Sequence, residues 1–191
     1  IYIRPESWDK PFEAPEHVCS SYDNCHVPWG STHEKTWHLV KTLPHVSGLF
    51  VWTGFDYLGE PTPYWWPSRS SFFGIVDLAG FPKDVYYMYK SEWTDEPVLH
   101  IFPHWNWKVG EPVDIWAYYN NADEVELYLN GKSLGVQQKT DSTYHVSWRV
   151  PFTPGTLRAV SRLGGKEVLV KEIHTAGEPA RLVLTPDRSV I

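Results

Sequence analysis

The hydrophobic period of the chain changes near residue 95, and that change limits the fold more than any other feature. Before it, apolar segments alternate with helical patterns and long aromatic loops. After it, short segments alternate apolar and polar residues. A helix repeats a face every 3.6 residues and a half-buried strand every second residue. The pattern predicts a β/α part over 1–95 and an all-β part over 96–176.

In the all-β part the candidate strands are 98–102, 112–119, 124–129, 133–137, 143–150, 155–162 and 167–175. Val125, Leu127 and Leu129 point one way, while Glu124, Glu126 and Tyr128 point the other. Asn130-Gly131 follows directly, a strong hairpin signal, and Gly164-Gly165 makes a second turn. About seven short strands at this spacing predict an immunoglobulin-like sandwich. Residues 177–191 begin with a linker-like Gly-Glu-Pro and then alternate again, which predicts the start of a further β-sandwich domain, truncated.

In the first part, Ser31-Thr32-His33-Glu34 fits a capping box. Trp37, Val40 and the Leu39/Leu43 pair give a helical face through 33–43, ended by Pro44. Residues 48–53 (GLFVWT) and 72–77 (FFGIVD) read as buried strands of the kind found in parallel sheets. Pro82 suits the first turn of a second helix, with Val85, Tyr86, Tyr89 and Trp93 as its face. Two β/α units cannot close a sheet alone, so this half is expected to be truncated.

Composition narrows the function classes. Net charge is −6 with both signs interspersed, and no basic stripe points to nucleic acid. No apolar run approaches the ~18–20 residues that span a bilayer. Residues 1–20 lack the succession of a signal peptide, though the chain opens on Ile1 without Met. Nine His show neither an HExxH motif nor paired spacing, so neither metal nor cofactor is expected. Cys19 and Cys25 could bridge in an oxidising compartment but form no framework.

Eleven Trp and eleven Tyr are the unusual counts. Most suit cores, but flat amphipathic rings also stack on pyranose faces. The segment after 48–53 crowds aromatics with charges: Trp52 at a strand end, then Asp56, Tyr57, Glu60 and Arg69. Trp52 could floor a sugar subsite, and the other four could orient hydroxyls. Taken alone, Trp52 suits a core as well as a ligand floor.

Here a resemblance enters. "GLFVWTGFDYLGEPTPY" followed by "FFGIVDLAGFPKDVYYMYKSEW" resembles the last two β/α units of glycoside hydrolase family 2, the β-galactosidase and β-glucuronidase family. "EVELYLNGKSLG" resembles the immunoglobulin-like domain that follows the barrel in many such enzymes. The resemblance implies the C-terminal units of a (β/α)8 TIM barrel followed by the sandwich. It implies a parent enzyme that retains configuration with two glutamates ~5–5.5 Å apart. Neither glutamate's family context occurs here. Glu6 and Glu13 lie in Pro-containing non-strand sequence, Glu16 follows no apolar strand, and Glu34 reads as a helix cap. Both catalytic glutamates are therefore expected upstream of Ile1, with this fragment inactive by itself. Trp52 carries over as the aromatic platform near the cleaved sugar.

One departure stands out. Phe73 precedes Gly74 where family β-galactosidases of one type have an asparagine that contacts the sugar, which bears on galactose specificity and on those enzymes' sodium site. The expected partners are a carbohydrate substrate and the remaining domains of the parent chain; self-association stays open. Relatives suggest a periplasmic or extracellular location. His104-Trp105-Asn106-Trp107 reads as a turn packed against the barrel, or else as a small carbohydrate patch. The alternative function is a non-catalytic carbohydrate-binding or structural sandwich module.

Overall fold

A computed structural model describes residues 10–11, 20–61 and 64–188. Glu6, Glu13, Glu16 and Cys19 lie outside them, so the readings made on those residues do too. Seven strands build a two-sheet sandwich: β3 (Leu99–Phe102), β4 (Pro112–Tyr119), β5 (Glu124–Leu129), β6 (Lys132–Gln137), β7 (His145–Pro151), β8 (Thr156–Leu163) and β9 (Lys166–His174). Each falls within two residues of its expected bounds. One sheet runs β3-β4-β7 and the other β6-β5-β8-β9, every pairing antiparallel. The chain changes sheet between β4 and β5, between β6 and β7 and between β7 and β8, the sheet-crossing connections of immunoglobulin-like sandwiches.

The alternation sets the core. Val113, Ile115, Ala117, Val125, Leu127, Leu157 and Ala159 are fully buried between the sheets. Each of the large aliphatic ones contributes about 1.5–3 kcal/mol by leaving water. The β5–β6 hairpin turns on Asn130 (φ 51°) and Gly131 (φ 81°). Two successive positive φ angles match the strands' right-handed twist, and Asn and Gly tolerate them best. Asn130 then ties the turn to the next hairpin, its Oδ1 accepting from Thr156 N at 2.9 Å.

β4 is buried on both faces. Trp116 and Tyr118, facing away from the sandwich core, join Phe102, Tyr22, Tyr144, Met88 and Tyr89 in a second, aromatic cluster. Met88 and Tyr89 come from helix α2 (Asp84–Trp93), which lies on this outer sheet face. Of the expected face, Val85 and Tyr89 pack here and Tyr86 is half-buried, whereas Trp93 is 48% exposed; Met88, outside that expected face, is fully buried. The helix turns its 85/88/89 side to the sheet. Its start is fixed by His100 of β3, whose Nε2 lies 2.7 Å from Asp84 Oδ1 while the ring stacks on Tyr87 at 3.8 Å.

Helix α1 (His33–Thr42) forms as expected and ends before Pro44, but not through the expected cap. The capping position is Thr32, without a side-chain cap bond. Asp23 takes that task from ten residues upstream: its two oxygens accept the backbone N–H of His33 (2.8 Å) and of Glu34 (2.7 Å). Glu34 instead reaches the sandwich, its Oε1 2.6 Å from His145 Nδ1. Leu39 and Leu43, expected on the packed face, are 49% and 37% exposed. The Trp37 side of α1 meets Trp93, edge to face at 5.7 Å, while His33 packs on Tyr89 and His38 on Tyr144.

The two expected parallel strands are shorter and displaced. Residues 48–52 form no strand, and Phe50 is fully exposed. The hydrogen-bonded contact runs over 53–56 and 73–76 instead. Thr53 N donates to Phe73 O, Ile75 N to Thr53 O, Val76 N to Gly54 O and Asp56 N to Val76 O, all between 2.9 and 3.0 Å. The direction is parallel. On its other side the second segment meets the chain leading into α2: Val76 bridges Pro82 antiparallel, and Lys83 N donates to Ile75 O at 2.9 Å. A further short parallel pair, β1 (Lys10–Pro11) with β2 (Cys25–His26), precedes α1. The alternation at 177–188 yields no strand; Leu182 and Leu184 stand in solvent.

Candidate substrate-binding loop and its neighbours

The loop between the two parallel segments is closed at its base. Leu58 and Ser70 form an antiparallel bridge. Gly59 N donates to Arg69 O at 2.8 Å, and Ser71 N to Tyr57 O at 2.8 Å. The buried Ser71 hydroxyl accepts from Tyr57 N at 3.1 Å. Residues 57–61 and 64–71 therefore belong to an excursion tied at its base, with Trp52 just before it.

Three of the expected site residues come together. Trp52 is 73% exposed, its ring edge-on to Tyr57 at 6.2 Å, and Trp52 Nε1 donates to Tyr57 Oη at 3.3 Å. Tyr57 Oη in turn donates to Glu60 Oε2. That bond to a carboxylate holds the Tyr57 hydroxyl above its usual pKa. A Trp ring open to water, with a hydroxyl and a carboxylate along one edge, offers a stacking face and a polar line for hydroxyls. The Trp52–Thr53 peptide is cis.

The other two expected residues are placed apart. Asp56 is nearly buried and turned inward: its Oδ1 accepts from Gly74 N at 2.8 Å, and Lys83 Nζ lies 2.7 Å from Oδ2. Its carboxylate is engaged in holding the two parallel segments to the start of α2, instead of facing hydroxyls. Arg69 sits further along the loop with its guanidinium 4.6 Å from the ring centroid of Trp66.

The His104–Trp107 segment is a third aromatic group, and its central ring packs into the sandwich. Trp105 is buried in the sandwich core and donates from Nε1 to Thr153 O at 3.0 Å. His104 stacks on Trp107 at 4.8 Å, and Asn106 Oδ1 accepts from Ala176 N at 2.7 Å. The segment closes one end of the sandwich and holds the outgoing chain.

A cleft of about 420 Å³ lies at the joint of α1 and the sandwich, away from the aromatic loop. Asp23, Glu34, His38, Trp116 and His145 are among its lining residues. His145 stacks on Trp116 at 3.6 Å. Burial pushes the Asp23 carboxyl up, against the lowering pull of His33 and of the helix N–H groups. No sequence signal links Glu34 to a partner 111 positions away. Among the described residues no group of three or more His, Cys, Asp or Glu could hold a metal ion, and no helix is long and apolar enough to cross a membrane.

The comparisons with known proteins agree with one another. The chain is 62% identical, over its full length, to the β-galactosidase BoGH2A of Bacteroides ovatus. The chain is homologous to members of glycoside hydrolase family 2. It is also 40% identical over 188 residues to a putative β-glucuronidase of Formosa agariphila. Residues 110–169 match a family model described as a domain of unknown function, DUF4982. Among solved structures, a β-glycosidase from Bacteroides vulgatus superposes with TM-score 0.79 at 37% identity, over 90% of this chain and 22% of that one. A family 2 member from Bacteroides cellulosilyticus gives 0.70 at 31% identity, over 82% and 25%. The chain spans only 22% and 18% of the two curated relatives' lengths.

Proposed function

We propose that this chain is part of a retaining β-glycosidase that removes terminal β-linked sugars, of the β-galactosidase type. In this reading residues 1–95 are the C-terminal portion of the catalytic (β/α)8 barrel and 96–176 the sandwich that follows it. The order helix, short parallel segment, long loop, parallel segment, helix supports the barrel assignment, since parallel neighbours need a crossover and barrels carry their sites on strand-end loops. Both catalytic glutamates belong to the barrel outside this chain, and an exported location is part of the same proposal.

The observation that carries the reading is the Trp52–Tyr57–Glu60 arrangement, one exposed ring with a hydrogen-bonded polar edge at the end of a parallel segment. Trp52 floors the subsite of the cleaved sugar; Tyr57 and Glu60 orient its hydroxyls. Asp56 supports the loop from beneath. Glycosidase assays on the full-length parent and its Trp52→Ala variant test the reading. A loss of kcat/KM of tenfold or more supports the platform, and unchanged turnover removes it.

A further inference from the structure

The same loop carries a second aromatic station that the cleaved-sugar subsite leaves unused. Trp65 and Trp66 are 66% and 76% exposed at its outer turn, where Tyr64 N and Trp65 N donate to Pro61 O, and Ser68 N to Trp65 O. Tyr64 packs edge to face on Phe72 at 4.7 Å, so the turn is anchored on the returning segment. Arg69 connects this turn to the base. Its carbonyl accepts from Gly59 N, one residue before Glu60, while its guanidinium lies against the Trp66 ring at 4.6 Å. A cation on one ring face holds an exposed indole in a fixed attitude and leaves the opposite face open to water. It also brings a fork of N–H donors beside the ring.

An exposed ring with a held back face, an open front face and hydrogen-bond donors at its rim suits a pyranose: apolar C–H face onto the indole, hydroxyls to the guanidinium. A small aryl or alkyl leaving group needs no such donors. We propose that Trp66, held by Arg69, is the stacking platform for a sugar on the leaving-group side of the scissile bond, so that the parent selects oligosaccharides over simple glycosides. This specificity contact rests on the glycosidase reading above. Trp52 serves the sugar that is released, and Trp66 the sugar chain it is released from.

The test compares two substrates of the full-length parent that end in the same non-reducing sugar, a 4-nitrophenyl glycoside and a β-linked tetrasaccharide. The measured quantity is the ratio of kcat/KM on the tetrasaccharide to kcat/KM on the nitrophenyl glycoside. Trp66→Ala is expected to lower that ratio by about tenfold, the size of one well-made aromatic contact. Trp66→Tyr, which keeps a ring, is expected to restore most of it, and Arg69→Met to lower it by several-fold. Trp29→Ala, an exposed tryptophan on another part of the surface, is the control expected to keep the parental ratio. If Trp66→Ala fails to fold, Trp66→Tyr and Arg69→Met carry the comparison. A ratio unchanged in the Trp66 and Arg69 variants overturns the inference. So does a fall on both substrates alike, accompanied by a lower melting temperature, because Trp66 then packs on another part of the protein. A parent that cleaves neither substrate overturns the glycosidase reading itself, a result distinct from an active parent with an unmoved ratio.

Discussion

Glu34 on α1 and His145 on β7 meet at 2.6 Å, 111 positions apart in sequence, where the helical part joins the sandwich. Both side chains are largely shielded, at 15% and 21% exposure, and the imidazole is sandwiched against Trp116. A shielded hydrogen bond to a carboxylate typically contributes about 1.5–3 kcal/mol. Glu34→Gln and His145→Gln are therefore expected to destabilise the joint singly and to couple in a double-mutant cycle. Additive effects in urea unfolding would show that the pair is incidental.

Glu92 on α2 ties three segments together. It accepts from Trp37 Nε1 at 3.0 Å and Lys41 Nζ at 2.9 Å on α1, with Lys139 Nζ at 3.5 Å from the loop before β7. Burial by itself would raise its pKa, but the Trp37 and Lys41 bonds and the Lys139 charge outweigh it and hold the carboxyl below its usual value. A folded pKa lower than the unfolded one adds stability above the unfolded value and loses it as pH falls through the folded value. Unfolding followed across the acid range is expected to lose stability below the ordinary glutamate range. Glu92→Gln should flatten that acid limb; an identical limb would dissociate Glu92 from it.

Gly74 is set by contact and not by backbone freedom. A Cβ there would lie 2.1 Å from Asp56 N, 2.4 Å from Phe55 C and 2.6 Å from Val76 O, all backbone atoms. Gly74→Ala must separate the two parallel segments, so it is expected to lower both stability and parental activity well beyond the usual cost of a surface change. Asp56→Asn keeps an acceptor for Gly74 N and loses only the Lys83 pairing, so it should cost less than Asp56→Ala. The reverse order in thermal unfolding would contradict the role given to Asp56.

Trp105 anchors the end of the sandwich. Trp105→Ala empties a fully buried site and is expected to cost about 3–5 kcal/mol. Trp105→Phe, which keeps the edge contact with Phe152 at 4.9 Å but loses the Thr153 bond, should cost about 1–2 kcal/mol less than that. Denaturant midpoints of the two variants check the order.

Strands proved more legible than the joints between elements. Glu124–Leu129 and Asn130-Gly131 carry their own geometry, alternation and then two left-handed residues, so pattern alone located the β5–β6 hairpin. Local pattern failed where distant residues take over a local task. Ser31 to Glu34 has the spacing of a capping box, yet Asp23 supplies both acceptors and releases Glu34 to His145. Residues 48–52 are apolar enough for a buried strand, yet the paired backbone starts only at Thr53. In the loop, Trp52, Tyr57 and Glu60 were found because aromatics and charges crowd together there. Composition could not say that Asp56 points inward, because that depends on Gly74 and Lys83. Trp105, read as a turn residue, became core because Phe152 and Thr153 close over it.

The central claim is that the ring of Trp52 floors the subsite of the sugar that is cut off. The most direct measurement is kcat/KM of the full-length parent and its Trp52→Ala variant on a nitrophenyl glycoside, with melting temperatures taken alongside. The account predicts a loss of at least tenfold with little change in melting temperature, since a ring 73% exposed contributes little to packing. Undiminished kcat/KM in a folded Trp52→Ala enzyme would contradict it.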